Sequence, residues 1–420
     1  MKRKILIRGP LLSRSGYGEQ SRFALRSLRS REDLFDIYID NIGWGQTGQT
    51  ALITEEDVFI KDCIVKGGQY RQAGGQFDMS LQITVPNEFQ KLAPINIGYT
   101  AGIETTKVAP EWIAKSNEFM DKLITISNHS KKVFEETKYD AQDQHGNPHP
   151  GWGLSVPITA VNYPARKHTP EALDVDFVTD KNFLLVGQWS PRKNIDNTIK
   201  WFVETFKEDK DVGLVLKANL MNDSRGDRER TAARVGMILN SVAPDRKCKV
   251  YLLHGEVPPS GLAWLYEHPT MKALVNIGHG EGFGLPLFEA ACHGLPVLSP
   301  AWSGQTDFLY TATKKGNKIP RFISVDYDLK PVQKEAVWPG IIQEDSMWCF
   351  PREASFKRAL RDCLEKETHH RKNAATLQKY VLKNFTSEQK YAEFVELLIS
   401  KEDQDLANQI EDMFKDLEID

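Results

Sequence analysis

Residues 273–298 combine an apolar run, a glycine-rich loop and a helix signal, and this order constrains the fold more than any other part of the chain. The run at 273–277 predicts a buried strand. Pro286 suits the first turn of the next helix, because the N–H that proline lacks would have no partner there. Gly294 suits the left-handed residue that closes a helix. The segment therefore predicts a strand–loop–helix unit of an α/β fold.

Two carboxylates, Glu281 among the glycines and Glu289 in the first turns of the helix, are separated by seven residues. The N–H groups at the start of a helix favour a phosphate-bearing ligand. Carboxylates accept hydrogen bonds from hydroxyl groups such as those of a sugar or ribose. The two side chains are therefore expected to meet different parts of one elongated ligand. The alternative is a generic strand–loop–helix unit whose glutamates stabilise the helix start.

The rest of the chain alternates short apolar runs with amphipathic stretches, which predicts α/β units around mostly parallel sheets. A length of 420 residues suggests two or three domains of about 150 residues each. Between about 140 and 170 the chain is rich in Pro, Gly, His and Asn, which predicts an irregular connection between two such series. The predicted strands are 5–7, 35–39, 82–85, 95–99 and 123–126 in the first series and 183–186, 213–217, 250–253, 273–277 and 296–299 in the second; predicted helices include 194–206 and 227–240.

Composition narrows the class of protein. The net charge of −3 gives no global excess of positive charge for binding nucleic acid. No apolar segment approaches the ~20 residues that cross a bilayer, and the apolar run at the N-terminus is too short for a secretory signal. The five cysteines are odd in number and lack a C-x-x-C pair, which favours a reducing compartment over a disulfide scaffold or a zinc site. The sequence thus predicts a cytoplasmic protein.

A second chemical signal follows the predicted strand at 183–186. A glycine is followed by the sequence Pro-Arg-Lys-Asn, which ends at a helix start and contains Arg192 and Lys193. Arginine offers a forked donor and lysine a compact charge, so the pair suits a diphosphate. The alternative is a solvated Arg–Lys pair in a surface loop.

Weaker signals lie in the first series. Gly16 and Gly18 stand between the first strand and the first helix, where glycine lets the backbone approach a ligand closely. Arg22, Arg26 and Arg29 then fall on one helix face, which predicts either a solvated basic surface or a site for an anionic acceptor. Such an acceptor would be a phospholipid head group, a phosphorylated carrier or nucleic acid, so contact with a membrane surface is one possibility.

These segments together resemble retaining glycosyltransferases of the GT-B fold, most closely glycosyltransferase family 4. The glycine-rich segment is similar to the family's E-x7-E signature, and Pro-Arg-Lys-Asn is similar to its diphosphate-binding segment. Residues 303–308 and the loop containing Glu104 also resemble family segments. Some members carry an arginine where this chain has Gln188, and the tryptophan usual before Glu104 is Ile103.

The resemblance implies two Rossmann-like domains facing a cleft: 1–165 plus about 385–420 on the acceptor side, and 166–384 on the donor side. The final helices would pack back on the N-terminal domain. It implies a nucleotide-diphosphate sugar as co-substrate, no required cofactor or metal, and transfer with retention to a saccharide or lipid-linked saccharide. The implied catalytic residues are Glu281, Arg192 and Lys193; the implied donor-binding residues are these three with Gly16, Gly18, Phe283, Gly284, Leu285 and Glu289; the acceptor-side candidates are Glu104, Arg22 and Arg26.

Other functions stay open at this point. A glycosyltransferase acting on a modified DNA base, a sugar-nucleotide epimerase or hydrolase of the same fold, and a non-catalytic sugar-nucleotide binding protein all use a donor site. The D-x-D matches at 174–176 and 326–328 could suggest a metal-dependent enzyme, but neither follows a convincing strand end.

Overall fold

The computed structural model describes residues 2–43, 48, 54–142, 146–313 and 315–399. Within these ranges, no helix is both long and apolar enough to span a bilayer. Two six-stranded parallel sheets dominate the architecture.

The first half of the chain builds a sheet in the order β2-β1-β3-β4-β5-β8. Apolar runs such as Ile5–Leu6–Ile7 are buried on both faces, as strands of a parallel sheet require. The elements are β1 (Arg3–Gly9), α1 (Gly16–Arg29), β2 (Phe35–Asn41), α2 (Glu55–Gln72), β3 (Met79–Gln82), β4 (Ile95–Thr100), α3 (Pro110–Phe119), β5 (Lys122–Thr125), α4 (Asn128–Glu136), β6 (Lys138–Gln142), β7 (Pro148–Gly153) and β8 (Ile158–Ala160).

The second half builds a sheet in the order β11-β10-β9-β12-β13-β16. Its elements are β9 (Lys181–Gln188), α5 (Ile195–Phe206), β10 (Val212–Asn219), α6 (Arg225–Val242), β11 (Lys249–Leu253), α7 (Pro259–Glu267), β12 (Met271–Val275), α8 (Leu285–Cys292), β13 (Val297–Pro300), β14 (Tyr310–Ala312), β15 (Lys318–Pro320), β16 (Ile323–Val325), β17 (Tyr327–Pro331), β18 (Met347–Pro351), α9 (Glu353–Glu365), α10 (Glu367–Asn384) and α11 (Ser387–Glu396). Both series are α/β units around a parallel sheet, which confirms the predicted fold class.

Two details differ from the predictions. The strand expected at 82–85 is β3, which lies three residues earlier, because the chain leaves the sheet before the 3₁₀ turn at Pro86–Glu88. The stretch at 140–170 is not wholly irregular: β6 and β7 pair as an antiparallel hairpin, and β8 then joins the first sheet beside β5. Proline is tolerated in such a ribbon because its free edge needs no N–H.

The last described helix returns to the first half of the molecule. Helix α10 lies on α8, where Gln378 Nε2 donates to the Cys292 carbonyl at 2.9 Å. Helix α11 then packs on α1, with the ring of Phe394 5.4 Å from that of Phe23 and 5.1 Å from that of Tyr99. This confirms the expected crossing; residues 400–420, which the prediction included, lie outside the described residues.

Phe394→Ala should lower the free energy of unfolding by about 3–5 kcal/mol, because a fully buried aromatic side chain is lost and a cavity remains. Urea denaturation followed by circular dichroism measures the change. Leu382→Ala on the exposed face of α10 is the matched control and should change stability little. An equally small effect of both substitutions would contradict the docking of α11.

Candidate functional site

The second sheet has a topological switch point between β9 and β12. From β9 the chain moves to β10 on one side, and β12 later pairs with β9 on the other. Crevices at the carboxyl ends of such strands are the usual binding sites of open α/β sheets. The loop after β9 contains Arg192 and Lys193, and the loop after β12 contains Glu281. The topology therefore brings the two chemical signals of the sequence to one point.

Glu281 is the centre of this site. Its carboxylate accepts hydrogen bonds from Lys193 Nζ at 2.6 and 2.8 Å, from Asn276 Nδ2 at 2.9 Å and from an Arg192 guanidinium nitrogen at 3.3 Å. Burial alone would raise the pKa of Glu281, but the ion pairs with Lys193 and Arg192 outweigh it and lower the pKa to about 2. The side chain is thus ionised and holds two cations in place.

Hydrogen bonds also fix the backbone of the turn that contains Arg192 and Lys193. Pro191–Lys193 form a 3₁₀ turn that ends at Asn194, a non-glycine residue in the left-handed region with φ of 53°. Asn194 Nδ2 donates to the Ile277 carbonyl at 3.0 Å, and the His279 N–H donates to the Arg192 carbonyl at 2.7 Å. These bonds join the turn after β9 to the loop after β12.

The glycines of the loop meet the first half of the molecule. A Cβ atom on Gly280 would lie 2.8 Å from the Cβ of Glu104, and one on Gly282 would lie 3.2 Å from the Ala101 carbonyl oxygen. Gly284 has φ of 93° and precedes α8, whose first turn contains Pro286. Two of the glycines thus allow the two halves to approach, whereas Gly284 provides the left-handed turn before the helix.

Other contacts join the halves near this loop. Asp307 accepts hydrogen bonds from the N–H of Asn128 and from Asn162 Nδ2, both at 2.8 Å. The N–H of Thr106 donates to the Met347 carbonyl at 2.9 Å, and Lys107 forms an ion pair with Asp345. The segment 327–351, which contains β17 and β18, is therefore attached to the first half. Asp307 lies in the segment 303–308 that the sequence singled out.

Glu289 has a neutral hydrogen-bond donor beside it, whereas Glu281 has two cations. Tyr266 Oη donates to its carboxylate at 2.8 Å. Burial raises the pKa of Glu289 to about 7, although the hydrogen bond from Tyr266 lowers it in part. The two glutamates of the motif therefore ionise over different pH ranges.

The remaining residues expected at the donor site divide into two groups. Phe283 is 2% exposed, and its ring packs among those of Tyr163, Phe288 and Phe308, so its side chain belongs to the core. Leu285 begins α8 and is half-buried. Gly16 and Gly18 were expected in the loop before the first helix, but they form the first turn of that helix. A Cβ on Gly18 would lie 1.9 Å from the Ser13 carbonyl oxygen, whereas one on Gly16 would meet nothing within 4 Å.

The arginines of α1 are paired within the molecule; Arg22 and Arg26 are half-buried, and Arg29 is exposed. Arg22 donates to the carbonyls of Leu11 and Ser13 at 2.8 and 2.9 Å. Arg26 is paired with Glu19 at 2.8 Å and also with Glu56 on α2. Arg29 is paired with Glu32 at 3.1 Å. The three arginines are thus bound to groups of the first half, and their contact with an anionic acceptor stays a prediction.

Several residues of the site were not predicted. Asn276 and Tyr266 bond to Glu281 and Glu289, and Asn194 directly follows Lys193 and bonds to the Ile277 carbonyl. Only the positions of the two asparagines beside the motifs could have indicated them. Gln188, which replaces an arginine of the family, donates to the Met221 carbonyl at 3.0 Å. Of the D-x-D residues, Asp174 and Asp176 are exposed and Asp328 is paired with Arg352. Among the described residues no group of three or more His, Cys, Asp or Glu side chains could hold a metal ion.

The chain is similar in sequence to a known protein over part of its length. No protein-family model matches the chain. The serotype-specific mannosyltransferase WbdA of Escherichia coli is 29% identical over 202 residues, which are 45% of this chain and 22% of that protein. The match thus spans about a fifth of the length of this relative.

Solved structures resemble the chain over nearly its whole length. Sucrose-phosphate synthase from Thermosynechococcus elongatus has a TM-score of 0.61 at 13% identity, with 94% of this chain and 98% of that chain covered. HepE of Anabaena in complex with UDP-glucose has a TM-score of 0.57 at 12% identity, with 94% and 99% covered. The chain has the GT-B fold. The lipopolysaccharide outer core galactosyltransferase WaaB has a similar fold. Its TM-score is 0.53 at 12% identity, with 96% of this chain and all of that chain covered.

The raised pKa of Glu289 predicts a pH-dependent stability. Between pH 4.5 and about 7 the folded state binds more protons than the unfolded state, so the free energy of unfolding should fall as pH rises through this window. A shift of this size corresponds to at most about 3 kcal/mol. Glu289→Gln keeps an acceptor for Tyr266 and should abolish this part of the pH dependence in urea denaturation at pH 5 and pH 8. Glu111→Gln, on the exposed start of α3, is the control; the same slope in wild type and Glu289→Gln would contradict the assignment.

Proposed function

We propose that the chain is a retaining glycosyltransferase of the family 4 type, which moves a sugar from a nucleotide-diphosphate sugar to an acceptor hydroxyl. The observation that carries the proposal is the pair of cations, Arg192 and Lys193, that Glu281 holds at the switch point of the second sheet. Cations fixed in advance in a partly buried site suit a group that develops negative charge. The leaving nucleoside diphosphate is such a group.

In this proposal the protein itself neutralises the leaving group. Arg192 can offer a forked donor and Lys193 a compact charge to the diphosphate oxygens. The N–H groups at the start of α8 add partial positive charge beside Gly284 and Leu285. No required metal or cofactor is part of the proposal. The leaving phosphate accepts the proton of the acceptor hydroxyl, so no protein nucleophile is needed.

The two glutamates take different roles. When a diphosphate draws Lys193 and Arg192 toward itself, Glu281 gains free lone pairs with which it can orient the sugar hydroxyls. Glu289 binds the donor ribose, with Tyr266 setting the position of its carboxylate. Gly16 has open space beside it and can let the N-terminal loop approach the donor. Phe283 supports the loop from the core.

The proposed acceptor is a saccharide or lipid-linked saccharide. The Escherichia coli relative is named a mannosyltransferase, so a mannose-bearing sugar nucleotide is the first donor to test.

We assign residues 1–165 and about 385–420 to the acceptor-side domain and 166–384 to the donor domain. A cytoplasmic location, expected from the cysteines, belongs to the same proposal; all five are unpaired and buried.

Lys193→Ala should lower turnover by roughly 10²-fold, because one preorganised donor to the developing charge is lost. A screen of nucleotide sugars for thermal stabilisation identifies the donor, and mass spectrometry of the products with candidate saccharide acceptors measures transfer. Lys200→Ala removes the same charge from the exposed face of α5 and should leave turnover unchanged. Wild-type turnover in Lys193→Ala would contradict the proposal.

Incubation with the donor alone separates the rival functions. A transferase releases only a little hydrolysed sugar under these conditions, whereas an epimerase or hydrolase converts the donor fully. A non-catalytic binding protein is stabilised by the nucleotide but turns over with no acceptor. A shift of labelled duplex DNA in a gel would favour a DNA acceptor.

A further inference from the structure

Glu104 is the residue of the first half that reaches into the cation site. It follows β4, and its Cβ rests against Gly280. Its Oε1 lies 3.3 Å from a guanidinium nitrogen of Arg192. Trp302 Nε1 donates to its main-chain carbonyl at 3.3 Å, which holds the backbone but leaves the carboxylate unattached to Trp302.

Arg192 contacts two carboxylates that come from opposite halves of the molecule. The same guanidinium nitrogen donates to the Gly280 carbonyl at 2.6 Å and lies 3.3 Å from both Glu281 and Glu104. Glu281 is already balanced by Lys193, whose Nζ lies 2.6 Å away. Among the described residues, Arg192 is the cation that pairs with Glu104. Without Glu104 the cluster of Arg192, Lys193 and Glu281 carries one net positive charge, and Glu104 of the opposite half is the anion that balances it.

We propose that Glu104 occupies, in the donor-free protein, the position beside Arg192 that an oxygen of the donor diphosphate takes on binding. The inference rests on the proposed function, because it assumes that Arg192 receives the diphosphate. It adds that the donor must displace a carboxylate of the opposite half before its charge can be neutralised. Glu104 is then a positioning residue that makes donor binding a competition between two anions.

The local structure lets the side chain move without its backbone. The side chain of Glu104 is 19% exposed, and its single ion pair is with Arg192 among the described residues. Upstream, Gly102 is fixed against Ser130, where a Cβ would lie 2.3 Å from the hydroxyl oxygen. Rotation about the side-chain bonds therefore suffices to release Arg192. The released carboxylate remains between the two halves, where an acceptor hydroxyl can donate to it.

Neutralising Glu104 should change donor affinity and the rate of transfer in opposite directions. Removing the negative charge of Glu104 takes away the competitor of the diphosphate and should tighten donor binding. It also takes away the carboxylate that receives the acceptor hydroxyl and should slow transfer. A purely structural role would weaken both together.

Isothermal titration calorimetry with UDP, GDP and ADP tests the competition. Whichever nucleoside diphosphate the wild type binds should bind Glu104→Gln more tightly by on the order of tenfold, with turnover reduced. Glu104→Asp keeps the charge on a shorter side chain and should fall between the two. Glu111→Gln, which neutralises an exposed carboxylate in the first turn of α3, is the matched control and should bind as the wild type does.

The outcomes separate the inference from the function on which it rests. Equal or weaker binding by Glu104→Gln, with an unchanged melting curve, overturns the competition but leaves the donor site intact. Failure of the wild type to bind any of the three nucleoside diphosphates overturns both. Tighter binding with undiminished turnover overturns the role of the released carboxylate.

Discussion

The buried ion-pair cluster of Glu281, Lys193 and Arg192 is the interaction on which the arrangement of the second half depends. Each partner lies in a loop that leaves the sheet at the switch point, and none would be stable there alone. A buried carboxylate without partners would take up a proton, and a buried pair with one member removed leaves an uncompensated charge. The cluster thus joins the loops after β9 and β12. It also concentrates positive charge where the strands end.

The loop after β12, which contains Glu281, also makes the contact between the two halves. Gly280 and Gly282 have no side chains, so the main chain around Glu281 can lie directly against the segment that contains Glu104. Any larger residue at 280 would separate the surfaces and move Glu104 away from Arg192. The glycines of the motif therefore admit the approach of the opposite half, whereas the sequence predicts the approach of a ligand. Their pattern in the sequence indicates only that close approach is needed.

The sequence predicted the parts of this site that depend on local order along the chain. The apolar runs, Pro286 and Gly294 defined the unit around Glu281, and the family resemblance implied one site for Glu281, Arg192 and Lys193. The ion pairs among the three were not predicted. Side-chain directions and remote partners were not predictable. Arg26 is neutralised by Glu56, which lies thirty residues away on another helix. Phe283, inside the motif, turns into the core because Phe288 and Phe308 surround it there.

The two glutamates show how environment separates identical side chains. Glu281, with a pKa near 2, carries no proton to donate at neutral pH, so it cannot act as a general acid. Glu289 has a pKa near 7, but its carboxylate is held by Tyr266 on α7 rather than by the cations. A glycosidase-like mechanism needs one acid and one base or nucleophile that flank the same bond. The environments of these glutamates fit charge placement and ligand positioning better, and a transfer in which the leaving diphosphate takes the proton needs no more than that.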